Sequence, residues 1–480
     1  YRQASTCEVP GCDPIVNDTS WLSFAIPTNF EKKRPESCKM YARVDETSLQ
    51  CTANDFHTIK TVPCKNYVYE IDQSFFNLGC QEWKRALVGT IHNTGMFAAM
   101  LVTGAISDRY GRKVAIGCAC TASLIFGIAR SFSPDYITYL ALHFLEAGFG
   151  GGLYPSAYVL IVELVGLKQR VIVSAMCNMT FVIGVVLIAL LAWLVDNWRT
   201  YILILYTPAI LVVVYVWFMN ESARWLLSKG RRTEAVQILK SAAKINNLDP
   251  RKLELDALAD PLLKPQNQTA EPQTQFSKAL RSLIIWKRLL VCSFLWITCS
   301  LVYYGMSINS VSLSGNRYVS FMLVVLVEIP AYIVVVIVLD KYGRKKTLTA
   351  CYILCAVTSL FRLVAADWWS IALYLIGKWS VTMAYSSVYI YVSEVFPTNL
   401  RQTLISFCST AGRIGSLIAP LTPLLSEYHK SMPTVIFGGM CCICTFLVML
   451  LPETQNIRLP DTIEEAEQLS RMKRKPSLEL

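Results

Sequence analysis

Eleven apolar runs, each near the length that crosses a bilayer, dominate the chain. They occupy residues 87–106, 114–131, 136–165, 172–195, 199–219, 289–311, 318–339, 347–366, 369–396, 402–425 and 432–451. In lipid every backbone polar group must be satisfied inside the segment, so runs of this length must be helices. The composition agrees: of 480 residues 54% are hydrophobic and 16% charged, with mean hydropathy +0.40. Soluble domains carry roughly 25% charged residues. A soluble nucleic-acid binder, a disordered chain and a coiled coil are thereby excluded, and an all-α polytopic membrane protein is expected.

The charge that remains is partitioned. Residues 1–85 net −1 and the rest +12. The excess sits in connections 107–113, 166–171, 220–288, 340–346 and 397–401 and in the basic tail Arg471-Met-Lys-Arg-Lys475. Cytoplasmic loops carry such an excess. The polar segment 1–85 is therefore expected outside and the tail inside. The sequence opens on Tyr1, and no signal-peptide pattern is read within it. The expected organisation is an extracellular segment (1–85), a first bundle (86–219), a cytoplasmic linker (220–288), a second bundle (289–451) and a cytoplasmic tail (452–480). An amphipathic helix is predicted at Thr233–Lys244 in the linker.

The two bundles are repeats. Asp108-Arg-Tyr-Gly-Arg-Lys113 recurs as Asp340-Lys-Tyr-Gly-Arg-Lys345, an offset of 232 residues. Glu163 and Arg170 recur as Glu394 and Arg401, and Glu221 recurs as Glu453. One offset shared by three motif pairs marks a parallel repeat. Sliding the span 289–311 back by that offset lands on polar residues 57–79. A further span upstream of Tyr1 is therefore expected, with the outer segment inserted after it.

The 17 cysteines divide. Cys7, Cys12, Cys38, Cys51, Cys64 and Cys80 lie in the outer segment. An even set there reads as disulfides, with 15 possible connectivities. The other eleven lie almost entirely in apolar runs, where cysteine packs as a small hydrophobe. Asn17-Asp-Thr19 is the one glycosylation sequon in the outer segment. No metal spacing, cofactor loop or nucleophile elbow is convincing. Gly150-Gly-Gly152 lies within a span and lacks the strand–turn–helix context of a phosphate loop.

The repeated acidic and basic residues at the cytoplasmic ends, Asp108, Arg112, Glu163, Arg170, Glu221, Asp340, Arg344, Glu394, Arg401 and Glu453, read as a breakable charge network. It would hold one face closed and part when that face opens, as rocking repeats require. The bland alternative is a set of topology anchors.

The motifs together resemble the organic cation/organic anion/carnitine transporter family of the major facilitator superfamily. Gly104-x3-Asp108-Arg-x-Gly-Arg-Lys113, Glu221-Ser-Ala-Arg-Trp-Leu226, Glu328-Ile-Pro-Ala-Tyr332 and Ser393-Glu-Val-Phe-Pro-Thr398 with Arg401 carry the likeness. Ala223 stands where the family usually has Pro. The resemblance implies twelve helices in two bundles, a central site and alternating access at the plasma membrane, with a cysteine-bearing first outer loop. A small organic ion and the lipid bilayer are then the partners, the protein works as a monomer, and a coupling ion stays open.

Polar groups inside spans are functional candidates, because lipid penalises them. Arg413 lies mid-span between Gly412 and Gly415. The resemblance implies aspartate at this position in cation carriers and arginine in anion and carnitine carriers. A buried guanidinium suits a carboxylate. Glu328 and Glu146 could face an ammonium group or pair with a basic neighbour. Lys378, Tyr385 and Tyr389 share one helical face, and Trp296 and Tyr303 are seven apart. By family matching, Tyr154, Asn93, Phe97 and Ser386 adjoin the cavity. Aromatic faces attract quaternary ammonium, though aromatic stripes also simply pack helices. His92 and His143 are open to a proton-coupling or a structural role. The reading reached is an organic-ion transporter for a zwitterion or anion such as carnitine, with an organic cation as the alternative. A membrane enzyme lacks any clustered catalytic set and leaves the parallel repeat unexplained; a channel or receptor-like protein is the third class, favoured if internal substrate does not accelerate uptake.

Overall fold

The computed structural model describes residues 5–9, 12, 21–29, 34, 35, 38–44, 51–64, 66–69, 76, 78–165, 169–248, 282–313, 315–397, 400–455, 460 and 463–468. By its internal contacts the chain divides into two units: residues 1–86 with 195–200, and residues 87–194 with 201–480.

The first unit is small and stapled. Strands β1 (Ser5–Cys7) and β6 (Tyr67–Tyr69), β2 (Thr28–Asn29) and β3 (Arg34–Pro35), and β4 (Lys39–Arg43) and β5 (Phe56–Pro63) form three antiparallel pairs. Disulfides join Cys7 to Cys64, Cys12 to Cys51 and Cys38 to Cys80. Cys7, Val9, Cys12, Ala25, Ile26, Phe56 and Cys64 form its core. A core this small seldom holds a segment of this size unaided, which is why cross-links carry it. The predicted loop 196–198 contributes too, through Trp198 against Phe76 at 5.2 Å between ring centroids. Asn17 lies outside the described residues.

The second unit is helical. Its helices are α1 (Glu82–Tyr110), α2 (Arg112–Ser131), α3 (Tyr136–Gly150), α4 (Leu153–Leu164), α5 (Arg170–Leu194), α6 (Trp198–Phe218), α7 (Ala223–Ser228) and α8 (Arg232–Ile245). The second half continues with α9 (Leu283–Asn309), α10 (Arg317–Leu326), α11 (Glu328–Tyr342), α12 (Arg344–Phe361), α13 (Asp367–Val395), α14 (Arg401–Ile418), α15 (Thr422–Tyr428), α16 (Met432–Met449) and α17 (Ile463–Glu467). All eleven predicted spans are helical, and so is the linker helix, as α8. Among the described residues 8 helical stretches are long and apolar enough to cross a membrane.

The rest fall short for identifiable reasons. The span 136–165 breaks at Gly151-Gly152, where added Cβ atoms would strike Met96, Ala99 and Thr103 of α1, and at Gly150 would strike Ser123 of α2. The triple glycine thus buys close helix approach, not phosphate binding. Helix α12 opens on Arg344-Lys-Lys346, and α13 carries Lys378, Ser380, Thr382 and Ser387, all buried within protein.

Two further breaks have proline causes. Pro330 lacks the N–H that would bond Leu326, so the span divides into α10 and α11. Pro420 and Pro423 divide α14 from α15 likewise. Polar side chains start several helices: Ser282 accepts from Ile285 N–H, and Asp135 from Thr138 N–H at 2.8 Å. That backbone bond, with the Thr138 hydroxyl, holds the Asp135 carboxyl below the usual range. Of the eleven free cysteines eight are buried and only Cys118 is exposed, in keeping with packing roles.

Candidate functional site

The repeated motif makes the same structure twice. Gly111 and Gly343 take φ of 111° and 97°. Each turns the chain sharply so that the next helix starts with its N–H groups facing an acid. Arg112 N–H and Lys113 N–H donate to Glu221 at 3.0 and 3.1 Å. Arg344 N–H and Lys345 N–H donate to Glu453 at 3.1 and 3.3 Å. A carboxylate there satisfies orphan donors and opposes the positive helix end. Arg112 then pairs with Asp108 at 2.8 Å and Glu163 at 3.4 Å. Arg344 pairs with Asp340 at 3.7 Å and Glu394 at 3.0 Å. Trp225 donates to the Asp108 carbonyl, and Gln455 to the Asp340 carbonyl.

Each of these pairs closes within one half. The gate residues act here as two internal braces, and no described pair among them crosses between halves. Arg401 begins α14, and the Arg170 side chain lies outside the described residues. Contacts between halves lie elsewhere. Helix α5 packs against α10 and, less extensively, α11. Trp193 stacks on Tyr318 at 6.2 Å, and Thr90 hydroxyl donates to the Leu417 carbonyl at 3.4 Å. A Cβ on Gly89 would meet Pro420. Apart from the lower part of α5, these contacts sit at the helix ends away from the motif loops.

In the second half α9, α11 and α13 converge on one ion pair. Lys378 Nζ lies 2.9 Å from Glu328, with both side chains almost wholly buried. It also donates to Ser307 at 2.8 Å and to the Tyr303 carbonyl at 3.1 Å, and lies 3.4 Å from the Tyr303 ring centroid. Tyr303 hydroxyl donates to the other Glu328 oxygen at 2.7 Å. Every strong valence of the pair is met, as a buried pair requires.

From Tyr303 an aromatic chain runs on. Tyr303 contacts Tyr304 at 5.1 Å and Tyr385 at 5.6 Å; Tyr385 contacts Tyr389 at 5.7 Å; Tyr389 contacts Trp296 at 4.5 Å. Arg413 of α14 lies near Tyr304, Tyr385 and Tyr389. Among the described residues no carboxylate pairs with Arg413.

The structure therefore sorts the predicted residues. Arg413, Tyr385 and Ser386 are half-buried and Tyr389 is exposed, so these four form the accessible side of the cluster. Lys378, Glu328 and Trp296 adjoin them through Tyr303 and Tyr389 but are almost wholly buried. Trp296 is sealed by Gly412, whose missing Cβ makes room for the indole. Tyr154 is exposed, donates to Asn178 at 3.2 Å, and lies near Tyr332 of the second half. Asn93 and Phe97 are half-buried on α1, and Asn93 bonds its own helix at the Gly89 carbonyl. Glu146 lies in a separate cluster with His92, His143 and Arg130.

A model of the Major Facilitator Superfamily matches residues 81–420 and 302–478. An organic cation transporter protein of Drosophila melanogaster is 31% identical over 85% of this chain and 77% of its own length. Solute carrier family 22 member 1 of Bos taurus is 30% identical over 98% of this chain and 86% of its own. The chain belongs to the organic cation/organic anion/carnitine transporter family of the major facilitator superfamily. An inward-open structure of the xylose transporter XylE from E. coli superposes with TM-score 0.61 at 16% identity, covering 81% of this chain and 90% of that one. At that identity the likeness speaks to fold alone.

Membership makes the chain a membrane transporter of organic ions, not an enzyme. Within this family frame two residues escaped the sequence reading. Arg130 ends a predicted span and was open to notice as a cation in an apolar run. Tyr304, a neighbour of Arg413, had no such signal, because its helical face differs from that of Tyr303.

Proposed function

We propose that this transporter carries a small organic zwitterion or anion with a carboxylate, carnitine being the type case. The observation behind this reading is charge balance at the accessible side of the cluster. Lys378 and Glu328 cancel each other, which leaves Arg413 as the cation on that side with no acid among the described residues beside it. A guanidinium there favours a carboxylate, and Tyr385 and Tyr389 offer ring faces to an ammonium end. Glu328 and Lys378 position Tyr303 in place of touching substrate.

Transport follows alternating access at the plasma membrane, with the cysteine-stapled unit outside and the motif loops, linker and tail in the cytoplasm. In that orientation most of the contacts between halves sit on the outer side, so this conformation is closed outside. The braces around Arg112 and Arg344 would exchange partners across the halves when the inner face closes. The test is uptake of radiolabelled carnitine, a quaternary amine and a dicarboxylate, with and without sodium, in wild type and Arg413→Ala at matched surface expression. Carboxylated substrates should enter and should lose uptake in the variant. Transport of the quaternary amine alone, unchanged by Arg413→Ala, would favour the organic-cation alternative.

A further inference from the structure

The first half buries a second charged cluster that the proposed substrate site does not use. Four helices build it. His92 comes from α1, Arg130 from the last turn of α2, and His143 and Glu146 from α3; Tyr206 and Tyr201 of α6 face it. The Glu146 Oε2 atom is the hub, 3.2 Å from His143 Nδ1, 3.6 Å from Arg130 Nη1 and 3.9 Å from His92 Nδ1. The two imidazoles stack with centroids 4.7 Å apart. Arg130 also bonds His143 Nδ1, donates to Tyr206 hydroxyl at 3.4 Å, and lies 5.4 and 5.7 Å from the Tyr139 and Tyr206 rings.

Two features of this cluster are unresolved as it stands. The His92 Nδ1 atom is buried with no hydrogen-bond partner. His143 Nδ1 faces a guanidinium N–H and a carboxylate oxygen at once. It accepts from Arg130 only without a proton, and donates to Glu146 only with one. The same nitrogen cannot do both. The His92, His143 and Glu146 donor atoms lie within 4.8 Å of one another, a spacing that also invites a metal. Arg130 already presents a fixed positive charge to two of the three, which disfavours a second cation of charge two.

We infer that His92, His143 and Glu146 form a proton-binding site that exchanges Arg130 between two sets of partners. An imidazole that takes a proton from hydronium onto Nδ1 becomes an imidazolium and keeps that proton while its N–H hydrogen-bonds the Glu146 carboxylate. Glu146 is then shared with an imidazolium, and Arg130 turns toward Tyr139 and Tyr206. Tyr201 completes the groups facing the site. The exchange reaches the seam between the halves through α1. His92 lies within one turn of Gly89 and Thr90, which touch Pro420 and Leu417. The consequence for transport rests on the reading above, but proton binding itself does not. A site whose pKa differs by about one unit between two conformations shifts their ratio about tenfold.

The test needs no substrate. The purified full-length chain is unfolded thermally at about pH 5.5 and about pH 7.5, either side of the usual histidine pKa of roughly 6.5. The chain has four histidines, so His57→Gln and His429→Gln complete the control set for His92→Gln and His143→Gln. Proton binding by the folded site requires a higher midpoint at about pH 5.5 than at about pH 7.5 in wild type and both controls, and His92→Gln, His143→Gln and Glu146→Gln should each remove most of that rise. A lower midpoint at the acid pH, the sign of imidazoles that stay neutral when folded and take protons only on unfolding, overturns the proposal. Retention of the full shift in the three cluster variants overturns the proposal. So does a zinc-dependent rise in the wild-type midpoint that His92→Gln abolishes, which would make the site a metal site. Should a variant fail to fold, hydrogen exchange of wild-type residues 87–110 decides. Protection there, corrected for intrinsic rates, should change about tenfold between the two pH values, and an unchanged pattern refutes the site.

Discussion

The two halves build the same loop and fill their interiors differently. At the motif loops Gly111 and Gly343, Glu221 and Glu453, and Arg112 and Arg344 superimpose in role down to individual N–H donors. Farther in, the equivalence ends. The second half holds one fully satisfied ion pair and an aromatic chain ending at Trp296, with Arg413 beside it; the first holds two histidines and an acid around Arg130. The offset survives where a loop must turn and a helix start must be capped, since those needs are identical in both copies. It lapses in the interior, where the two halves carry different buried polar clusters. Divergence between the repeats therefore marks where the two halves differ in chemistry, which the repeat itself does not.

The sharpest break of that comparison is energetic. Lys378→Met leaves Glu328 buried without a counter-charge, which should cost about 3–5 kcal/mol. The double variant Lys378→Met, Glu328→Gln should recover much of that loss. In the first half, Glu146→Gln should cost less, because Arg130 keeps Tyr139, Tyr206 and His143 as neighbours. Chemical unfolding of the three variants in detergent measures the contrast. Equal losses from Lys378→Met and Glu146→Gln would mean that both clusters are rigid, and would count against exchange of Arg130.

The opposite expectation holds at the loops. Gly111 and Gly343 have φ, ψ of 111°, 163° and 97°, 166°, a region that is essentially glycine's own and costs other residues about 1–3 kcal/mol. An alanine Cβ would also strike the Glu221 or Glu453 carboxylate. Gly111→Ala and Gly343→Ala should therefore destabilise by similar amounts, read as equal drops in the unfolding midpoint. A large difference would show that one copy of the motif is mechanically dominant.

Legibility in the sequence followed the same division. The spans, the parallel repeat and the linker helix were readable because hydrophobic length and a fixed offset survive without knowledge of contacts. The grouping of Lys378 with Tyr385 and Tyr389 was readable from helical spacing. What spacing does not give is whether a residue takes the accessible or the buried side of a cluster. Lys378, Glu328 and Trp296 carry the same signal as Arg413, a polar or aromatic group in an apolar run. Only tertiary contacts show that a lysine from α13 neutralises a glutamate from α11 and that Gly412 seals the indole. The pairing of the six outer cysteines was likewise beyond reach, since 15 arrangements fit one count.

The smallest effect tests the seam itself. Trp193 and Tyr318 stack at 6.2 Å with ring planes 13° apart, and both come from elements that join the halves, α5 and α10. An aromatic contact of this kind contributes about 0.5–1.5 kcal/mol. Its loss in Trp193→Ala should shift the ratio of closed to parted conformations by up to about tenfold, since every 1.4 kcal/mol is a factor of about ten. Spin labels at Leu194 and Val319 read this as growth of a longer-distance population. Trp217→Ala is the control, because Trp217 is exposed on α6 and takes no part in the described seam. If Trp193→Ala leaves the distance distribution unchanged, the stack accompanies closure without stabilising it. The burden of holding the halves together then falls on Gly89 and Thr90 against Leu417 and Pro420, the contacts nearest the histidine cluster.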